Sequence, residues 1–78
     1  MAGENRQEKT GNITRLSDRE RQIASLVSNG LRNRDIASEL HISENTVKRH
    51  LQSIFDKTGA RDRLELAVMA IGEVQKAA

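Results

Sequence analysis

NRDIASELHISENTVKRHLQ, residues 33–52, decides the fold. Apolar residues fall at Ile36, Ala37 and Leu40, then at Ile42, then at Val47 and Leu51. The first group has helical spacing, and its small member, Ala37, sits where a second helix can cross closely. Ser43 reads as the N-cap of the next helix, because its hydroxyl can accept an orphan backbone N–H of the first turn. Two short helices joined so tightly pack at a steep angle, which lets the second protrude. Its outward face carries Asn45, Lys48, Arg49 and Gln52, all hydrogen-bond donors. The stretch predicts a helix-turn-helix whose second helix suits the major groove of double-stranded DNA.

Upstream, Ser17 and Glu20 form a capping box before a stripe of Ile23, Ala24, Leu26 and Val27, and Asn29-Gly30 ends that first helix. The second helix is expected to start at Asn33 as its N-cap and to run to Leu40. The third, residues 44–58, has an inner stripe of Val47, Leu51, Ile54 and Phe55, and Gly59 stops it. A fourth begins at Asp62, paired with Glu65 as a second capping box, and continues to about Val74. It carries more apolar surface than one interface needs. Leu66, Ala67, Ala70 and Val74 cluster on one side and suit the core. Leu64, Val68 and Ile71 lie about a third of a turn away and would face water, as an association surface does. The expected fold is all-α: a three-helix helix-turn-helix core plus a C-terminal dimerisation helix.

Composition narrows the function. The chain has 78 residues, enough for one small domain with a limited core. Residues 1–14 have Ile13 as their only large apolar side chain and read as a flexible arm or linker, leaving residues 15–78 as the domain. With no Cys, disulfides, Cys-based zinc sites and thiol chemistry are excluded. His41 and His50 have no cysteine partners, so no metal or other cofactor is expected. No apolar run spans a membrane and the N-terminus has no signal-like segment, so a cytoplasmic location is expected. No nucleophile–base pair or phosphate loop can be assembled, which argues against an enzyme. The net charge of +2 says little, but its placement says more. Lys48, Arg49, Lys57 and Arg61 face a single acid, Asp56, between Thr46 and Arg61. Phe55, the sole aromatic, is a packing residue rather than a stacking platform.

In LSDRE at residues 16–20, NGLRNRDIASELHIS at 29–43, ENTVKRHLQSIFDKTGA at 44–60 and RDRLELAVMAI at 61–71, the chain resembles the LuxR/NarL-type helix-turn-helix family of bacterial transcription regulators, also called the GerE-like domain. That resemblance implies four helices, with the third in the major groove and the fourth in a homodimer contact. Carried over position by position, it places Lys48, Arg49 and Gln52 at base edges. It places Asn33, Arg34, Thr46 and Lys57 at phosphates. The dimer residues expected from the spare stripe of the fourth helix are Leu64, Val68 and Ile71. RNA polymerase is a further candidate partner.

The residue chemistry agrees at the base edges. Arg bonds guanine O6 and N7 bidentately, Lys reaches the same acceptors, and Gln pairs with adenine N6 and N7. Thr46 lies beside N–H groups that favour an anion. The competing description of each is an ordinary solvated face, or for Thr46 a hydroxyl bonded back to its own helix. Arg61 and Arg63 flank Asp62 and are placed to pair with acids of the first helix, Arg63 structurally. Two other functions fit the motif: a promoter-binding module like region 4 of a sigma factor, and a protein-interaction module that does not touch DNA. The continuation KTGARDRLELA, residues 57–67, favours the LuxR/NarL type, since a sigma module needs no further apolar helix.

Overall fold

The computed structural model describes residues 15–77, with side chains through residue 72. The expected arm, residues 1–14, and the Val74 side chain lie outside the described residues. Within them the chain forms α1 (Asp18–Ser28), α2 (Asn33–Leu40), α3 (Glu44–Thr58) and α4 (Arg63–Ala77), with no strand. None of these helices is long and apolar enough to cross a membrane.

Local chemistry sets most of the boundaries. The Ser17 hydroxyl accepts the Glu20 N–H at 3.1 Å, and the Glu20 carboxylate accepts the Ser17 N–H at 2.9 Å, closing the expected box. After α1, Gly30 takes φ 89° and the Leu31 N–H returns to the Leu26 carbonyl at 3.2 Å. At α3 the Ser43 hydroxyl accepts the Thr46 N–H at 3.0 Å, as expected. The helix ends where the Thr58 hydroxyl donates to the Ile54 carbonyl at 2.9 Å and Gly59 turns left-handed at φ 77°. The tight turn between α2 and α3 is made by His41, left-handed at φ 60°, with the Ile42 N–H on the Ala37 carbonyl at 3.0 Å.

Two caps differ from expectation. The cap of α2 is Arg32, not Asn33. Asp35 accepts the Arg32 N–H at 3.2 Å, while arginine has no acceptor to return the bond. The Asn33 amide oxygen is taken instead by the Arg63 guanidinium of α4 at 2.8 Å, which removes it from capping. At α4, Asp62 accepts the Glu65 N–H at 2.9 Å, but the Glu65 carboxylate reaches one residue past it to the Arg61 N–H at 2.6 Å.

The core is Leu16, Ile23, Ala24 and Val27 with α1, Ile36 and Ala37 of α2, Val47, Leu51 and Ile54 of α3, and Leu66 and Ala70 of α4. Ile23, Ile36 and Ile54 are fully buried, each favouring folding by about 1.5–3 kcal/mol. The broadest packing is α1 on α4, and α2 crosses α3. Ala24, Ala37 and Ala70 supply small buried surfaces for these approaches. Phe55 is half-buried against the edge of the core rather than inside it, and Ala67 is half-buried likewise.

Candidate nucleic-acid interface

The orientation of α3 follows from its core stripe. Burying Val47, Leu51, Ile54 and Thr58 turns the opposite side outward, and Asn45, Lys48, Arg49 and Gln52 are all exposed. At about 100° per residue these four fall within an arc of roughly 100° in the first half of the helix. Asp56 shares the arc but lies a full turn past Gln52. The Ser43 cap begins the helix immediately ahead of the arc.

The arc borders a cleft where three elements meet. Asn33 at the start of α2, Lys48 and Gln52 of α3, and Arg61 and Arg63 before and at the start of α4 line it, with Leu51 and Phe55 as its apolar wall. A second recess continues from it past Asn33 and Arg63 to Arg32, Arg34 and Glu44. The fold therefore gathers Asn33, Arg34, Lys48 and Gln52 along one edge, with Arg49 exposed beside them. Thr46 sits in the first turn, its hydroxyl 2.9 Å from that of Ser43.

Lys57 is held from the opposite side, on α1. Its ammonium donates to the Glu20 carboxylate at 2.9 Å, and the Ser53 hydroxyl donates to the other carboxylate oxygen at 2.9 Å. Helical rotation carries Lys57 about 80° or more away from the arc, toward α1. Burial pushes the Glu20 carboxyl upward, but the Ser17 N–H, Lys57 and Ser53 together outweigh it and hold its pKa at about 2, against 4.5 ordinarily. Lys57 is thus engaged in holding α3 on α1.

Arg61 and Arg63 also depart from expectation, since neither meets an acid of α1. Arg61 lies 3.6 Å from Glu65 on an exposed face. Arg63 donates to Asn33 Oδ1 and, at 2.7 Å, to the Leu31 carbonyl. Arg32, Arg61 and Arg63 are cleft residues that the sequence reading did not assign there. Their signal was the repeated cations at 32 and 34, and at 61 and 63, in the two connections that precede α2 and α4.

On α4, Leu64, Val68 and Ile71 are 73%, 60% and 43% exposed, while Leu66 and Ala70 are buried, so the expected division of this helix is met over the described residues. The exposed three border an apolar groove with Ala67, Val27 and Gly30.

Four helices, with a tight turn between the second and third and an exposed polar arc on the third, define a helix-turn-helix domain. Comparison with known proteins gives the same answer: the chain matches the family described as bacterial regulatory proteins, luxR family (GerE), over residues 14–70, and it belongs to that family. It is 35% identical to the transcriptional regulatory protein LnrK of Bacillus subtilis over 71 residues, 91% of this chain and 32% of that protein. It is 39% identical to the nitrate/nitrite response regulator protein NarL of Escherichia coli over 64 residues, 82% of this chain and 30% of that protein. Against the DNA-binding transcriptional activator DevR/DosR of Mycobacterium tuberculosis it is 36% identical over 63 residues, 81% of this chain and 29% of that protein. The chain thus spans about a third of the length of the curated relatives it matches.

Proposed function

We propose that this chain is a sequence-reading DNA-binding domain of a transcription regulator, with α3 in the major groove and α4 pairing two copies. The observation that carries the reading is the exposed arc of Lys48, Arg49 and Gln52 opposite the buried stripe of a helix capped by Ser43. Arg49 and Lys48 offer donors to guanine O6 and N7, and Gln52 offers a donor–acceptor pair to adenine. Asn33 and Arg34 grip phosphates beside the cleft. Thr46 accepts the Ser43 hydroxyl proton and donates its own to a phosphate, a division its 2.9 Å contact allows. Lys57, engaged with Glu20, stands outside this set. The apolar stripe of Leu64, Val68 and Ile71 forms a self-complementary contact about a two-fold axis, so two α3 helices meet two half-sites.

Retention of duplex genomic fragments at about 50 and 200 mM salt tests this. Strong retention that falls steeply with salt is expected. No retention at about 50 mM salt would mean that the chain is a protein-interaction module.

A further inference from the structure

Arg63 is the first residue of α4, yet its guanidinium serves the start of α2. One nitrogen, Nη2, donates to the Leu31 carbonyl at 2.7 Å, which fixes the plane of the fork. The other, Nη1, donates to Asn33 Oδ1 at 2.8 Å. A guanidinium has donors and no acceptor, so it can meet only the oxygen end of a side-chain amide. The amide is planar, and holding its oxygen against Arg63 turns its NH2 to the opposite side. That NH2 makes no hydrogen bond among the described residues. Asn33 itself is half-buried and lines both the cleft shared with Lys48 and Gln52 and the recess shared with Arg34.

We propose that Arg63 is a positioning residue for DNA binding. It holds the Asn33 amide with its donor end outward toward a phosphate oxygen and its acceptor end, which phosphate would repel, turned inward. The proposal rests on the DNA-binding reading above and adds that the two cleft residues act as one unit. An Asn amide without such a partner has two orientations of similar energy, and only one of them donates to phosphate. Arg63 removes the wrong orientation before DNA arrives, so the bound geometry costs less entropy to reach.

A double-mutant cycle on duplex affinity tests this, run well below the melting temperature of every variant. Arg63→Met and Asn33→Ala should each weaken binding, by roughly tenfold for a lost bond to a charged group. In the Asn33→Ala background, Arg63→Met should cost at most about twofold, because the residue it positions is gone. Additive losses would overturn the proposal, since a distant charge or a general loss of packing acts independently of Asn33. In the free chain, nitrogen relaxation of the Asn33 side-chain amide should show faster motion in Arg63→Met. An amide as ordered as in the unaltered chain would overturn the proposal without reference to DNA. Should Arg63→Met fail to fold, Arg63→Lys decides: it keeps the charge but loses the two-pronged fork that holds the Leu31 carbonyl and the Asn33 oxygen together, so duplex affinity must fall with Asn33 present and change little in the Asn33→Ala background. Unchanged affinity overturns the proposal. An unaltered chain that ignores duplex DNA refutes the DNA-binding reading itself, whereas a binding chain with an additive cycle refutes only the role of Arg63.

Discussion

Glu20→Gln isolates the contact that holds α3 on α1. The substitution keeps size and shape but removes the charge that faces Lys57 at 2.9 Å and that accepts from Ser17 and Ser53. A carboxyl held at about 2 rather than 4.5 stabilises the folded state by roughly 3 kcal/mol at neutral pH. That is an upper bound, because Lys57 is 39% exposed and water screens the pair, so about 1–2 kcal/mol is expected. For a domain this small the melting temperature should fall by roughly 5–15 °C at pH 7. The sign of the pH dependence follows from the depressed pKa. The stabilisation is fully present above the unfolded value and is lost as pH falls through the folded one. With 4.5 and about 2 as the two values, roughly two-fifths of it remains at pH 3 and about an eighth at pH 2. Thermal melts of both proteins from pH 7 to pH 2 should therefore converge, because their other carboxylates are shared. A difference that stays constant across that range, or is absent at pH 7, would refute the reasoning.

Ser43→Ala should cost about 0.5–2 kcal/mol by orphaning the Thr46 N–H, which a urea melt will register as a lower midpoint without loss of the folded state. Arg34→Ala should reduce the slope of log affinity against log salt by about one, uniformly across sequences. Lys57→Met should leave that slope unchanged, because Glu20 already neutralises it. Val68→Glu should abolish two-fold occupancy of adjacent half-sites in sedimentation with DNA while each monomer stays folded, since Val68 is 60% exposed. Unfolding in place of dissociation would assign the stripe to the core.

How much could be read in advance depended on whether the physics was local. The Ser17–Glu20 box, the Ser43 cap, the glycine ends at 30 and 59 and the stripe of Val47, Leu51 and Ile54 each follow from residues within two turns of one another. The split of α4 into buried Leu66 and Ala70 against exposed Leu64, Val68 and Ile71 was legible for the same reason. What escaped is long-range and polar. Lys57 reads as a free cation until Glu20, 37 residues earlier, is found beneath it. Asn33 reads as an ideal cap until Arg63, 30 residues later, takes its oxygen. A capping preference is worth about 1 kcal/mol, and a charged bond from another helix can override it.

Base reading is proposed to lie with the Lys48, Arg49 and Gln52 arc. Selection from a randomised duplex library, with the unaltered chain and with Arg49→Ala, tests it most directly. The unaltered chain should enrich a defined half-site. Arg49→Ala should lose preference at one base pair, at a cost of about 1–3 kcal/mol for the preferred site, and keep the preferences at the others. If Arg49→Ala enriches the same half-site with the same strength at every position, the arc does not read bases and the placement of α3 in the groove is wrong.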